Sequence, residues 1–162
     1  MKHILSILVN NKPGVMSHVS GLFTRRSFNI DSVAVGVTDK PDFSIMTIVL
    51  NGDDQSVVQF ERQLLKLPDV VEAKKLSYHN SVVKELILIR VRVEADQRSD
   101  VLGIVEVFGG KIDDIMEDSM LVELSGDQRQ VNGIIKMLER FGILEIARTG
   151  QIALALESES NG

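Results

Sequence analysis

The apolar positions change period several times along the chain. Residues 2–10, "KHILSILVN", are an apolar run that reads as a strand. Residues 14–27 place Val15, Val19, Leu22 and Phe23 at helical spacing on one face. Residues 29–38, "NIDSVAVGVT", are β-branched with period two; "DKPD" at 39–42 has turn chemistry; 43–51, "FSIMTIVLN", reads as a further strand. Residues 53–67 put Val57, Phe60, Leu64 and Leu67 on one helical stripe, and 70–78 return to strand. The predicted order is βαββαβ.

The second half repeats that order. Residues 82–93, "VVKELILIRVRV", predict a long strand, and 98–108 a helix with Val101, Ile104, Val105 and Phe108 inward. Two strands follow between 110 and 125, then a helix over 127–141 with Val131, Ile134, Ile135 and Leu138 on one side, and a last strand at 143–150. "NGDDQSVVQFERQLLKL" (51–67) aligns with "SGDQRQVNGIIKMLERF" (125–141) without a gap. The two share the Gly-Asp start and the pairs Val57/Val131 and Leu64/Leu138. Gly-Asp before a helix is also common capping chemistry. Matching order and local register predict two copies of one α+β unit.

A βαββαβ unit packs two helices on one face of a four-stranded antiparallel sheet, as in ferredoxin-like folds. The expected fold is therefore α+β, two such units in tandem, with boundaries at 1–78 and 79–157 and a disordered polar tail at 158–162. The strands are apolar on both faces: Ile4, Leu5, Ile7, Leu8 and Val9 cannot all point at two helices, nor can Leu86, Ile87, Leu88 and Ile89. Either the halves cover each other or another chain does, which points to an oligomer.

Composition narrows the function classes. The 162 residues carry net charge -5 with no basic tract. Residues 1–80 hold nine Lys/Arg against eight Asp/Glu, and residues 81–162 nine against fifteen. Nucleic-acid binding calls for a concentrated basic face, and an RNA-binding βαββαβ domain needs an aromatic pair on a central strand. Phe43 and Tyr78 are isolated. The absence of cysteine excludes disulfides, a thiol nucleophile and Cys-ligated metal, and is compatible with the cytoplasm. The strand-like run begins by His3, so no signal peptide is expected, and the apolar runs are shorter than a membrane span.

Catalytic groupings are hard to assemble. His3, His18 and His79 have no metal-ligand spacing; Asp113-Asp114 and Glu117-Asp118 fall at a polar strand end and turn, where solvated charge is the simpler reading. Gly109-Gly110 lacks the Lys-Ser/Thr of a phosphate loop and reads as a helix stop. No catalytic or metal site is expected.

The turn "NNKPGVM" at 10–16 is different. A strand-to-helix turn leaves the first helical N–H groups unpaired, with the positive end of the helix dipole behind them. Pro13 loses no N–H at a helix start, Gly14 lets a ligand approach the backbone, and the Asn11 amide offers a donor and an acceptor. A carboxylate plus an ammonium suits that set, with Val15 and Ile30 to receive a small apolar side chain. The alternative is that Asn10-Asn11 caps and Pro13-Gly14 turns, with no ligand.

The stretch from Ile4 to Asp39 resembles the start of the regulatory (small) subunit of acetohydroxyacid synthase, also called acetolactate synthase. The resemblance is carried by "N-x-x-G-V-M" at 11–16, "GLFTRR" at 21–26, "FNIDS" at 28–32 and "SIMTIVLNGD" at 44–53. It continues through "QLLKLPDVVEA" at 63–73, "ELILIRV" at 85–91 and "EIARTGQIAL" at 145–154. It implies an N-terminal ACT domain, a βαββαβ amino-acid sensor, followed by a ferredoxin-like domain. It implies a homodimer through the ACT domains and a catalytic large subunit as partner. That partner would hold thiamine diphosphate, Mg²⁺ and FAD, leaving this chain without a cofactor and not itself an enzyme. The small subunit would activate its partner and confer feedback inhibition by a branched-chain amino acid, valine in particular. Effector contacts would come from Asn11, Gly14, Val15 and Met16 of one chain and Asn29 and Ile30 of its neighbour. Pro13 and Val15 fall within the family's variation. A free-standing ACT-type amino-acid-binding module of another pathway is the rival expectation.

Overall fold

The computed structural model describes residues 1–26 and 28–156. Ser27, at the expected end of the first helix, and the tail expected to be disordered lie outside the described residues. The elements are β1 (Lys2–Asn10), α1 (Val15–Arg26), β2 (Asn29–Val37), β3 (Phe43–Asn51), α2 (Asp54–Leu64) and β4 (Val70–Leu76). They continue as β5 (Ser81–Arg92), α3 (Arg98–Val107), β6 (Lys111–Ile115), β7 (Ser119–Gly126), α4 (Gln128–Leu138), β8 (Ile143–Arg148) and β9 (Ile152–Ala155). The order βαββαβ occurs twice, as the periodicities predict.

The described residues form two compact units, Met1–Val82 with Gln151–Leu156, and Val83–Gly150. The first sheet has the order β2-β3-β1-β4; the second has β6-β7-β5-β8, with β9 pairing to β5 off that path. All neighbours on both paths are antiparallel. The two orders are the same once the elements are counted from the start of each unit, so the repeat extends to topology.

Within the first unit the core follows the sequence stripes. Leu5, Ile7 and Val9 of β1 and Met46, Ile48 and Leu50 of β3 meet Val15, Val19, Leu22 and Phe23 of α1 and Val57, Phe60 and Leu64 of α2. Phe60 lies at the centre, its ring 4.6 Å from Phe23 and 5.0 Å from Phe28. The second core sets Ile87, Ile89 and Val91 against Val101, Val105, Val131, Ile134 and Leu138. Each fully buried side chain of this size contributes roughly 1.5–3 kcal/mol. The repeated Gly-Asp marks the same device in both units. Asp53 accepts from the Ser56 N–H at 2.6 Å, and Asp127 from the Gln130 N–H at 2.8 Å.

One element departs from the sequence expectation. The strand foreseen at 143–150 stops at Arg148; Gly150 takes φ +82, and a further short strand, β9, follows. A lone Gly within an apolar pattern was the only signal of that break. Residues Gln151–Leu156 join the first unit, whereas their place in the chain suggested the second. There Ala153 and Leu154 border a cleft against Ser6, Leu8, Ile45 and Leu76, on the sheet face that α1 and α2 leave open. On that same face Ile4 is opposite both Val49 and Leu76, and all three are buried outside the helix-side core.

Candidate functional site

The turn after β1 is held from two sides. The Asn10 N–H donates to the Asp69 carbonyl at 2.8 Å, and its side-chain Nδ2 reaches the Asp69 carboxylate at 3.4 Å. The Asn11 N–H donates to the Asp42 carbonyl at 2.7 Å, and its Nδ2 to the Pro41 carbonyl at 3.1 Å. The two consecutive asparagines therefore serve different neighbours: Asn10 fastens the turn that leads into β4, Asn11 the turn between β2 and β3.

Gly14 follows with φ +88, a conformation that side chains bearing a Cβ rarely adopt. Nothing lies within 4 Å of where its Cβ would stand, so the space over this backbone is open. The helix begins at Val15, one residue after the start expected at 14 and two after Pro13. The Val15 N–H is directed at the Lys12 carbonyl at 3.4 Å, and the His18 N–H at the Gly14 carbonyl at 3.1 Å. Between them, the N–H groups of Met16 and Ser17 have no acceptor among the described residues. The Gly14 N–H likewise has no acceptor among the described residues, so the free donors at this turn are those of Gly14, Met16 and Ser17, while that of Val15 is engaged. α1 carries no acidic residue in its first turn, in contrast to α2, which Asp53 caps and Asp54 follows.

The side chains divide differently from expectation. Val15 is 4% exposed and its side chain belongs to the core; Met16 is 44% exposed. Ile30 packs partly buried against the same core, and Asn29 is exposed at the start of β2. Asn29 is paired with Asn51, while Asn10 is paired with Phe43 at the other end of β3. Eight residue steps of about 3.3 Å separate those ends by roughly 26 Å. One chain therefore brings Asn11, Gly14 and Met16 together and holds Asn29 and Ile30 apart from them. Next to Asn29, Asp31 receives the Asn51 amide at 3.1 Å and Lys2 at 3.3 Å.

β2 is an edge of the first sheet, and its Val33, Val35 and Val37 are 39%, 46% and 61% exposed. An unpaired strand edge leaves its N–H and C=O groups open to pairing. Sequence reasoning overlooked Pro41, Asp42 and Asp69. Two of them act through backbone carbonyls alone, for which side-chain identity gives no signal beyond "turn". Among the described residues no group of three His, Asp or Glu is placed to hold a metal ion, and no helix is long and apolar enough to cross a membrane.

Comparison with known proteins bears on both units. Residues 5–72 match the AHAS small subunit-like ACT domain, and residues 84–157 match the family described as small subunit of acetolactate synthase. A probable acetolactate synthase small subunit of Archaeoglobus fulgidus is 42% identical over 154 residues, covering 95% of this chain and 96% of that one. The acetolactate synthase small subunit of Mycolicibacterium smegmatis is 40% identical over 153 residues, covering 94% and 90%. The crystal structure of the small subunit from Thermotoga maritima superimposes with a TM-score of 0.89 at 38% identity, covering 96% of this chain and 97% of that one. With an ACT domain at its start and the small-subunit domain after it, this chain belongs to the acetolactate synthase small-subunit family, the regulatory side of an enzyme whose catalysis resides in the large subunit.

Proposed function

We propose that this chain binds a branched-chain amino acid, valine, at the start of α1, and so sets the activity of its catalytic large subunit. Bound to that subunit it raises acetolactate formation; with valine bound it inhibits. The observation that carries the reading is the uncapped start of α1: the N–H groups of Gly14, Met16 and Ser17 are free, and the space over Gly14 is open. A carboxylate is the natural occupant of such a place. Asn29 and Ile30 come from a second copy, since one chain holds them about 26 Å away. The free β2 edge supports a homodimer that pairs the two ACT sheets. Thiamine diphosphate, Mg²⁺ and FAD belong to the large subunit in this reading, and the complex works in the cytoplasm.

The test is reconstitution. The chain is mixed with its cognate large subunit and acetolactate is measured with and without valine. Activation that valine reverses supports the proposal. Valine binding by the chain, with no effect of the chain on the large subunit, would favour a free-standing sensor instead.

A further inference from the structure

β2 does not pair evenly with β3. Asn29 is opposite Asn51 and Ile30 opposite Leu50, but the next pair is Ser32 with Val49, which leaves Asp31 as an extra residue. A bulge of this kind leaves one residue unpaired and bends its strand there. Here the unpaired residue is charged and tied down. Asp31 Oδ1 accepts from the Asn51 amide at 3.1 Å, and Oδ2 lies 3.3 Å from Nζ of Lys2. Lys2 and Asn29 are the two residues opposite Asn51, one on each side of it. The Asp31 carboxylate therefore joins two members of a row, Lys2, Asn51 and Asn29, whose third member is a candidate effector contact.

The second unit supplies a control. β6 carries a bulge of the same kind: Ile112 is opposite Val122 and Asp114 opposite Leu121, with Asp113 left over. The local sequences correspond, Asn29-Ile30-Asp31 in β2 and Lys111-Ile112-Asp113 in β6. In both, the isoleucine packs partly buried against its own core. The Asp113 side chain has no hydrogen bond or ion pair among the described residues, and Lys111, in the place of Asn29, is paired at 3.4 Å to Glu123, the residue opposite it. The fold thus makes this bulge without tying its aspartate. The tie on Asp31 belongs to the first unit alone, and it is made beside Asn29.

We infer that Lys2 and Asp31 are positioning residues of the effector site, which hold the start of β2 through Asn51 and present Asn29 to the second copy in a fixed place. β2 is an edge strand with a partner on one side only. Ordering its first residues in advance removes that cost from ligand binding. Lys2 also neutralises a carboxylate two residues from Asn29, where a free anion would repel the carboxylate of an amino acid. The inference rests on the effector reading above.

The experiment measures valine affinity of the full-length chain by titration calorimetry. A partly exposed ion pair accounts for up to about fivefold in affinity, so Lys2→Met should weaken valine binding about threefold to fivefold. Lys2→Arg keeps the charge and should stay within about twofold. Asp31→Ala, which loses both bonds, should weaken binding at least as much as Lys2→Met. Lys2→Met combined with Asp31→Asn keeps an acceptor for Asn51 and leaves no charge to neutralise, so it should recover the affinity of the unchanged chain. Asp113→Ala, at the untied bulge, should leave affinity as it was. If Lys2→Met and Asp31→Ala bind valine as tightly as the unchanged chain, the tie positions nothing. If the double variant binds as weakly as Lys2→Met, Lys2 does not act through the charge of Asp31, and the inference fails. If Asp113→Ala weakens binding equally, the effect is a general one of the bulge on folding, and the inference fails again. If the unchanged chain binds no valine, the effector reading itself falls, and the positioning role with it.

Discussion

Glu85 and Arg148 form a half-buried ion pair in the second unit. Glu85 is 4% exposed, and its carboxylate oxygen receives Nε of Arg148 at 3.0 Å together with Nη2 of the same guanidinium. Removing a partner from a buried charge costs more than the pair contributes, because the remaining ion stays desolvated. Arg148→Met should therefore destabilise the chain by about 2–4 kcal/mol in urea unfolding. Replacing both, as Glu85→Leu with Arg148→Met, should recover much of that loss. A single variant as stable as the unchanged chain would show that water reaches Glu85.

Gly14 separates conformation from occupancy. At φ +88 an alanine is strained by about 1 kcal/mol, yet a Cβ meets nothing. Gly14→Ala should lower unfolding stability by that amount and fold normally. Gly14→Asp sets a carboxylate where the proposed site would hold the effector's own. Its expected phenotype is loss of valine inhibition with activation of the large subunit retained. Unchanged inhibition would mean that the turn only turns; loss of both effects would mean misfolding.

Sharing of the site between two copies has its own signature. Gly14→Asp and Asn29→Ala should each abolish valine binding. In a mixed dimer one site carries both lesions and the other carries none. Random pairing makes about half the dimers mixed, so co-refolding should restore roughly a quarter of the sites, countable by calorimetry. A mixture as inert as its parents, with mixed dimers seen by native mass spectrometry, would rule the sharing out.

The cap of α2 gives a pH prediction. The Ser56 N–H bonded to Asp53, assisted by the Ser56 hydroxyl, holds the Asp53 carboxyl below its ordinary value of 3.8. A depressed carboxylate contributes stability that is complete above the unfolded-state value and is lost as pH falls through the folded one. Asp53→Asn keeps a side-chain acceptor without the titration. Below about pH 4 its unfolding midpoint should fall less steeply than that of the unchanged chain, as followed by circular dichroism. Parallel curves would assign acid sensitivity to other carboxylates.

What the sequence revealed, and what it hid, follows from range. Val57, Phe60 and Leu64 identified the buried stripe of α2 because a helix repeats within four residues, and Gly52-Asp53 announced its start for the same local reason. The loop at 10–16 was legible as a helix start. The fate of its groups was not, since Asn10 and Asn11 are tied to residues 59 and 30 positions away. Val15 sits in the motif, and the 3.6-residue period that puts Val19 and Phe23 inward puts Val15 in the core with them. β9 escaped notice because four residues carry too little periodicity to be distinguished from a continued β8.

The distance along β3 between Asn10's partner and Asn29's has a consequence for the cell. For a site that two copies must complete, ligand binding and self-association are one linked equilibrium. Effector would tighten the pairing of chains, and pairing would tighten effector by the same factor. The sensor's set point would then depend on how much of the chain is made: scarce protein would report the amino acid poorly, and abundant protein would report it at lower levels.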